Sequence, residues 1–280
     1  MAAIVTLLMP GAVRAVDFSE LGGLGAAGLK ALAAAENIDV AEVSKGYGKP
    51  VEPAIPIEWV AIPGGKFTMG ARTPEVSFDN AGPVHEVTIK TFQMAKTEVT
   101  VEQYAECVAK GGCTEPTTSG YCNWGKPGRQ FHPVNCLNWA QAQAYAKFKG
   151  ARLPSEAEFE YAATSGGKNQ KYPWGNEDPT RELAVFNVNR TMPVCSKPKG
   201  NTEQGLCDMS GNVWEWVQDV YKDSYSGAPV DGSAFEGSDS LRVVRGGSFS
   251  YGGVEVLRAA FRGYYGPGFR YGTVGFRLAR

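Results

Sequence analysis

The stretch Gly205–Trp216, GLCDMSGNVWEW, decides the fold, because turn-forming residues lead directly into two tryptophans that flank a single acid. Its Gly-Asn pair tolerates unusual backbone angles, which predicts a tight, irregular loop. Strand alternation then places both tryptophans on one face and Glu215 on the other, beside the carbonyls of the loop. Polar oxygens on a bent backbone suit a hard cation such as calcium. The alternative, which the spacing alone favours, is that Glu215 is a solvated acid between two core tryptophans.

The same stretch carries a family resemblance. GNVWEW resembles the signature of the formylglycine-generating enzyme (sulfatase-modifying factor) family, and further segments agree with that family in order between Ile57 and Arg280. These are FTMG at Phe67–Gly70, PVHEVTIKTFQMAKTEVTVEQY at Pro83–Tyr104, HPVNCLNW at His132–Trp139, RLPSEAEFEYAA at Arg152–Ala163, YPWGN at Tyr172–Asn176, and RGGSFS with GFRLAR near the end. The resemblance implies an α+β, C-type-lectin-like domain with short helices, short strands and much irregular structure.

Composition agrees with a loop-rich domain. The 280 residues include 35 glycines and 17 prolines, and 11% of them are aromatic, which is typical of loops held by large anchors. The net charge of -1 gives no attraction to nucleic acid, and no apolar run is long enough to span a bilayer. We therefore expect neither nucleic acid nor a membrane span; the C-terminal stretch described below favours a protein or glycan ligand as partner.

The N-terminal part has a different composition. Residues 1–15, MAAIVTLLMPGAVRA, resemble a secretory signal with a small-residue cleavage site, although no basic residue precedes the apolar run. A start codon placed too far downstream would explain that gap, and a short buried helix would also fit. Residues 16–56 form an extension with a predicted helix at Leu21–Ala35, a further turn at Asp39–Val43 and a linker from Gly46 to Pro56. The extension could be a stalk, an oligomerisation arm or a partner-binding segment, and the domain proper occupies residues 57–280.

Local signals define elements within that domain. Apolar alternation predicts short strands at Glu58–Ile62, Phe67–Gly70 and Val84–Phe92. Capping boxes predict three helices: Thr100 with Gln103 before Val101–Val108, Asn138 with Gln141 before a helix that Gly150 ends, and Ser155 with Glu158 before one that ends near Gly166. Only His85 and His132 are histidines, so no histidine metal cluster can form.

The six cysteines are even in number and none is spaced as a CxxC pair, which argues against structural zinc. Pairing neighbours for loop economy predicts the disulfides Cys107–Cys113, Cys122–Cys136 and Cys195–Cys207, among many possible connectivities. Each bridge would stabilise the fold by ~2–4 kcal/mol and requires an oxidising compartment, which favours an exported protein. The alternative is six buried thiols in a cytoplasmic protein.

The cysteines also bear on enzyme activity. The resemblance implies that family members with the founding activity use a cysteine pair just beyond the RGGS motif, which binds copper in the aerobic enzymes. Thiolate ligands select Cu(I), and the corresponding stretch here, FSYGGVEVL at Phe249–Leu257, has no cysteine. We therefore expect no catalytic residues of that kind and no copper. Related sulfoxide synthases use a histidine-rich iron site and an extra domain, which two histidines do not supply. An oxidase with another site, or a tailoring enzyme like those in siderophore maturation, stays open as the alternative.

The stretch Ser248–Arg277 instead predicts a recognition surface. Aromatic residues interrupted by glycine make poor cores but offer wide contact area with few rotatable bonds. The candidate ligand-binding residues are Phe249, Tyr251, Glu255, Phe261, Tyr264, Tyr265, Phe269 and Tyr271. We expect Tyr264, Tyr265 and Tyr271 to be the most exposed. Arginines among them, at 258, 262, 270 and 277, can hold loops by bonding carbonyls or carboxylates, and an interior network of these residues is the alternative.

This stretch also resembles the variable region of diversity-generating retroelement proteins, many of which use the C-type-lectin fold. Their variable residues derive from asparagine codons randomised at adenines, and Tyr, Ser, Gly, Phe, Val and Thr are all reachable from such a codon. The resemblance implies a diversified receptor, whereas ordinary non-catalytic family members have similar aromatic segments. A purely structural surface module is a third interpretation.

The family resemblance further implies a calcium site at Asp208, Gly211, Val213 and Glu215, the middle two acting through backbone carbonyls. Asp208 replaces the more usual asparagine, which keeps an oxygen donor and adds charge. A second family site would lie near Asn187 and Val188, but the stretch Thr191–Cys195 after them is short and differs. We expect calcium to raise the melting temperature and chelator to lower it.

Overall fold

The computed structural model describes residues 56–71, 80–238 and 240–280, together with the backbone of two N-terminal strands. The chain divides into two units, Met1–Ala54 and Ile55–Arg280. In the first, β1 (Ile4–Met9) pairs antiparallel with β2 (Ala12–Asp17). The short helix considered for residues 1–15 is therefore wrong, because this segment is extended and pairs strand to strand. The predicted helix at Leu21–Ala35, the turn at Asp39–Val43 and nearly all of the linker lie outside the described residues.

In the second unit, short strands form three small sheets. The strands are β3 (Trp59–Ile62), β4 (Gly65–Met69), β5 (His85–Ile89), β6 (Phe92–Ala95), β7 (Trp214–Val220), β8 (Arg242–Arg245), β9 (Arg262–Tyr265) and β10 (Val274–Gly275). β3 pairs with β6 and β4 with β5, both antiparallel. The third sheet has the order β10-β7-β8-β9, in which only the β10–β7 pair is parallel. The single strand predicted at Val84–Phe92 is thus two strands, because the chain turns at Lys90 and Thr91.

All three predicted helices are present, each with its complete capping box. They are α1 (Val101–Ala109), α2 (Trp139–Phe148) and α3 (Glu156–Ala163), with Thr100, Asn138 and Ser155 as N-caps. In each box the cap side chain accepts a hydrogen bond from the third helical residue, whose own side chain accepts one from the cap. α3 ends three residues before Gly166, which has a left-handed φ of +83°. The described residues also include two short 3-10 helices, Pro198–Gly200 and Val254–Leu257.

The core is organised around β7. Trp214 and Trp216 pack with Tyr104, Tyr145 and Phe276 in one apolar cluster, and Val217 of the same strand belongs to a second cluster. Glu215 is 0% exposed, so the interpretation of it as a solvated acid is wrong. Because both faces of this strand are buried, the acid between the tryptophans needs a partner inside the protein.

Three disulfides bind the loops to this core. The pairs are Cys107–Cys113, Cys122–Cys136 and Cys195–Cys207, which confirms the predicted connectivity. Disulfides persist in oxidising compartments, so these bridges point to a protein that works outside the reducing cytoplasm. Across the described residues, no helix combines the length and apolar character needed to cross a membrane.

The buried His132 makes stability depend on pH. Its Nδ1 lies 2.8 Å from Thr191 Oγ1 and 3.1 Å from the Arg129 guanidinium. Burial, followed by the positive charges of Arg129 and Arg190, lowers the pKa of His132 from 6.5 to about 4. The neutral form is therefore the one that the folded protein holds.

Acidification is accordingly expected to destabilise the protein. The folded-state pKa is depressed, so the contribution of His132 is present above pH 6.5 and is lost as the pH falls towards 4. Between pH 8 and pH 5 this group should cost about 2 kcal/mol of unfolding free energy. Urea denaturation of the wild type and of His132→Gln at both pH values measures it. A variant that loses as much stability on acidification as the wild type would contradict the assignment.

Candidate ligand-binding surface and cation site

Five aromatic side chains, which we call the aromatic patch, lie together on the surface: Tyr121, Tyr251, Tyr265, Phe269 and Tyr271. Tyr121 is 64% exposed, Phe269 52%, Tyr271 41% and Tyr251 39%, and Tyr265 is half-buried. The Tyr271 ring centroid lies 4.9 Å from that of Tyr265 and 5.2 Å from that of Phe269, against which it stacks. Tyr265, Tyr271 and Phe269 therefore form one connected group of rings, with Tyr121 and Tyr251 exposed around them.

Two segments distant in sequence meet in this patch. Asn135 Nδ2 donates hydrogen bonds to the carbonyls of Tyr121 and Gly272, at 3.0 and 2.6 Å. The Cys136 N–H donates to the Tyr271 carbonyl at 3.1 Å, and the Cys122–Cys136 disulfide anchors the residue after Tyr121. A Cβ at Gly272 would approach Tyr121 Cβ to 2.6 Å, so only glycine permits this contact.

Core tryptophans support the patch from below. The Trp214 ring lies edge-to-face with Tyr251 at 5.9 Å, and the Trp216 ring lies edge-to-face with Tyr265 at 6.3 Å. Burial raises the pKa of Tyr265 above its ordinary value, and a hydrogen bond with Tyr251 adds to the effect. The Tyr265 hydroxyl is therefore neutral at physiological pH and can donate or accept hydrogen bonds without carrying charge.

The structure sorts the eight residues predicted to bind ligand. Four of them, Tyr251, Tyr265, Phe269 and Tyr271, lie in the patch. Phe249 and Phe261 do not, since they are 1% and 8% exposed and their rings pack against Tyr121 and Trp214, respectively. The expectation of a contact surface is thus corrected for these two, because glycine spacing along the chain does not determine which rings turn inward.

The other two predicted residues lie outside the patch. Alternation along β9 directs Tyr264 to the face opposite Tyr265, and the Tyr264 ring packs against Tyr221 at 4.1 Å between centroids. Glu255 is half-buried in the 3-10 helix Val254–Leu257. Tyr121, in contrast, belongs to the patch although the C-terminal stretch does not contain it. Its position beside a disulfide cysteine in a glycine-containing loop is the only sequence signal that could have indicated it.

The rings of the patch are exposed at the surface, and two cavities lie elsewhere. One cavity of about 580 Å³ is lined by residues that include Thr68, Glu160 and Lys168, and another of about 440 Å³ by residues that include Arg152 and Ser155. In the described part of the chain, neither cavity is lined by a residue of the aromatic patch. Enclosed small-molecule sites are concave and bury most of their ligand, whereas four rings of the patch are 39–64% exposed, which suits contact with a larger partner.

The tail arginines hold loops, as predicted. Arg262 forms two hydrogen bonds with Glu156, at 2.6 and 2.9 Å, and donates to the carbonyls of Asn80 and Lys222. Arg270 Nε donates to Gln141 Oε1 at 2.9 Å. These bonds fix the segments that carry the aromatic patch to the helical side of the domain.

Arg277 is the partner of the buried Glu215. Its Nε and Nη2 donate to the two carboxylate oxygens of Glu215, both at 2.7 Å, and Nη2 also donates to the Cys207 carbonyl at 2.9 Å. Both residues are 0% exposed. Glu215, one of the four residues expected to bind calcium, is therefore already neutralised by a fork-to-fork ion pair.

Asp208 and Glu98 add two further buried carboxyls to this region. Asp208 Oδ2 accepts a hydrogen bond of 2.6 Å from the Cys195 N–H, and Glu98 Oε1 accepts one of 3.0 Å from Asn212 Nδ2. Glu98 Oε2 is buried and receives no hydrogen bond from any described residue. Three carboxylates and one guanidinium leave an excess of two negative charges when all are ionised.

This donor set suits a hard divalent cation in its chemistry, because it offers oxygens and uncompensated negative charge. Gly211 and Val213, whose carbonyls complete the expected set, are buried beside these acids. Within residues 56–71, 80–238 and 240–280, no group of three or more His, Cys, Asp or Glu side chains is arranged to bind a metal ion. A cation here would therefore depend on backbone carbonyls together with two carboxylates.

The stretch after the RGGS motif contains no thiol. Gly246 and Gly247 adopt φ angles of +91° and +73° and lead into Phe249 and the 3-10 helix Val254–Leu257. The chain's six cysteines are all paired in the three disulfides. No thiolate pair is thus available to bind copper at this place.

Solved structures resemble this fold. The structure of PvdO from Pseudomonas aeruginosa has a TM-score of 0.68 and 34% identity, and the alignment covers 80% of this chain and 94% of that one. Treponema denticola variable protein 1 has a TM-score of 0.63 and 22% identity over 82% of this chain and 99% of that one. At this identity the second likeness concerns the fold alone, which is α+β and C-type-lectin-like.

Proteins of known family are also similar to this chain in sequence. The chain is 31% identical to the formylglycine-generating enzyme of Streptomyces coelicolor, covering 79% of this chain and 88% of that protein. It is also 31% identical to the hercynine oxygenase of Mycolicibacterium smegmatis. That alignment covers 79% of this chain but only 60% of the length of the oxygenase. A model of the sulfatase-modifying factor enzyme 1-like domain matches residues 49–280. The chain therefore belongs to the family of sulfatase-modifying factor enzyme 1-like domains.

Proposed function

We propose that this protein is a non-catalytic member of its family that binds a ligand through the aromatic patch. The observation that supports this most is the set of exposed rings of Tyr121, Phe269 and Tyr271. A disulfide and Asn135 hold the segments that carry them, and Tyr271 packs against Tyr265, whose ring contacts the core tryptophan Trp216. Rigid aromatic side chains lose little conformational entropy on binding and supply large contact area. The absence of thiols after the RGGS motif removes the family's copper ligands from the same region.

The open shape of the patch favours a protein or glycan partner over an enclosed small molecule. Tyrosine hydroxyls at its rim can form hydrogen bonds with either class of partner. Nucleic acid is not expected as a partner, because the chain carries a net charge of only -1. The three disulfides support export to the periplasm, the cell surface or the medium.

Retroelement diversification of the patch is the finer form of this proposal. Tyr251, Phe269 and Tyr271 are of residue types that adenine randomisation of an asparagine codon can produce. The coding DNA tests it. We expect a near-repeat of the 248–277 region beside a reverse-transcriptase gene, differing at template adenines. A single copy without such a repeat would leave an ordinary ligand-binding member of the family.

Binding itself is tested on peptide and glycan arrays with the labelled full chain. We expect ligands that the wild type binds and that the double variant Phe269→Ser/Tyr271→Ser does not. Tyr264→Ser is the matched control, because Tyr264 is 48% exposed, between Tyr271 and Phe269, but lies on the face of β9 opposite to Tyr265. Equal binding by the double variant would contradict the patch as the site. Binding of nothing on any array would favour a purely structural module.

The second candidate is an oxidase or tailoring enzyme with an unrecognised site, which the identity to enzymes of the family favours. Oxygen consumption with copper and a cysteine-containing sulfatase peptide separates it from the binding proposal. We expect no uptake above the protein-free rate. Turnover of the peptide would refute the non-catalytic assignment.

A further inference from the structure

The larger cavity, of about 580 Å³, shares no described residue with the aromatic patch and has no part in the binding proposed above. Its volume is within the range of about 300–1,000 Å³ that is typical of small-molecule sites. Most of the described residues that line it belong to four segments: 68–71 at the end of β4, α3 with its C-cap, the loop 167–171, and 258–260. The cavity is therefore formed by the folded domain rather than by one loop.

Backbone contacts hold the loop 167–171 in place. Gly167 adopts a left-handed φ of +82°, and a Cβ on it would lie only 2.4 Å from Phe67 Cβ, so glycine is required for the loop to pack this closely on β4. At the other end of the loop, the Ala259 N–H donates a hydrogen bond of 2.8 Å to the Lys171 carbonyl. These contacts join the loop both to the sheet and to the last of the four segments.

The cavity wall carries an excess of positive charge. Its cationic side chains are those of Lys168, Lys171 and Arg258, and its amide side chains are those of Asn169, Gln170 and Asn176. Among the described residues that line the cavity, Glu160 is the only acid. Its Oε1 accepts a hydrogen bond of 2.7 Å from the Gly70 N–H, and its Oε2 accepts one of 2.5 Å from Arg245. Because Arg245 balances the charge of Glu160, the cations of the wall are not neutralised by it.

The lysines lie where a ligand from solvent can reach them. Lys168 and Lys171 are exposed, whereas Glu160 and Thr164 are buried. Lys168 forms an ion pair with Glu203 at 2.5 Å, in which the two side chains are 51% and 63% exposed. Exposed pairs of this kind are weak because solvent screens them. A ligand with several negative charges can therefore displace Glu203 from Lys168.

We propose that this cavity binds a small anion with several charged oxygens, such as a polyphosphate or a polycarboxylate, through Lys168, Lys171 and Arg258. Hydrogen bonds from ammonium and guanidinium groups to anionic oxygens are shorter and stronger than those between neutral groups. The planar guanidinium can also hold two oxygens of one phosphate or carboxylate group. A cationic ligand would be repelled by the same wall.

Calorimetric titration of the full-length protein with pyrophosphate and, separately, with citrate tests the site. We expect the wild type to bind at least one of them, and the better ligand identifies phosphate or carboxylate as the preferred group. The double variant Lys168→Gln/Lys171→Gln is expected to weaken this binding at least about tenfold, because two of the three cations are lost. Binding should also weaken as the NaCl concentration rises.

The double variant Lys110→Gln/Lys199→Gln is the matched control. It loses the same net charge, both of its lysines are exposed, and neither of them lines the cavity. It should therefore bind the anion as the wild type does. Phe269→Ser/Tyr271→Ser should also bind it unchanged, so the result does not depend on the aromatic patch.

Three outcomes would overturn the proposal. The first is a wild type that binds neither pyrophosphate nor citrate. The second is unchanged affinity in Lys168→Gln/Lys171→Gln. The third is an equal loss of affinity in that variant and in Lys110→Gln/Lys199→Gln, which would show attraction to surface lysines in general rather than binding in the cavity.

Discussion

Replacing Arg277 by methionine is expected to lower the free energy of unfolding by about 3–5 kcal/mol, the largest single effect that the structure implies. The guanidinium forms two 2.7 Å bonds with Glu215 and donates to the carbonyls of Ala95, Lys96 and Cys207. Methionine replaces the aliphatic part of the arginine side chain but leaves Glu215 without its partner in the interior. Urea denaturation in chelator, under non-reducing conditions, measures the loss without any contribution from bound metal.

Two further variants keep this test decisive if the methionine variant fails to fold. Arg277→Lys retains the charge but loses the planar fork, so we expect a smaller loss of unfolding free energy. Adding Glu215→Gln to Arg277→Met removes the unpaired charge and should recover part of the stability. A loss below about 1 kcal/mol in Arg277→Met, which is typical of exposed pairs, would contradict the role of this ion pair in organising β7.

Removing the Cys122–Cys136 disulfide by the double variant Cys122→Ala/Cys136→Ala is expected to cost about 3 kcal/mol. The bridge closes a loop with a sequence separation of 14, and constraint of the unfolded chain grows with loop length. The same bridge anchors Tyr121 to the segment whose backbone bonds Tyr271. We therefore expect ligand affinity to fall together with stability.

The Cys107–Cys113 bridge is the control, because it has a sequence separation of only 6 and lies at the end of α1. Its removal is expected to cost about 2 kcal/mol and to leave ligand binding unchanged. Denaturation and array binding of both variants provide the comparison. A greater loss of stability or binding on removing Cys107–Cys113 would contradict the account of how the patch is held.

Much of the fold could be predicted because its signals are local. Each capping box lies within four residues, and Thr100, Asn138 and Ser155 start their helices as expected. The disulfides join neighbouring cysteines, so loop economy was sufficient to pair them. The predicted strand at Val84–Phe92 is too long. Alternation of apolar residues continues from β5 into β6 and does not reveal the turn between them, although the two strands pair with different partners.

The candidate site could be predicted only in part because it depends on distant contacts. Tyr121 contacts Gly272, although the two residues are separated by more than half of the domain's sequence and no local pattern links them. Tyr264 and Tyr265 are adjacent in sequence but lie on opposite faces of β9, which depends on the exact start of that strand. Glu98 and Arg277 were likewise not connected to Asp208 and Glu215 by spacing, because these four residues meet only when β7 and its neighbours assemble.

The central claim is that the aromatic patch binds a ligand. Calorimetric titration with the ligand that binds most strongly on the arrays tests this claim most directly. Hot-spot aromatics contribute about 2–4 kcal/mol each on truncation, so Phe269→Ser/Tyr271→Ser should weaken binding by at least about 100-fold. Tyr264→Ser should change the affinity by less than about threefold. Equal affinities for the double variant and the wild type, with both proteins folded, would contradict the claim.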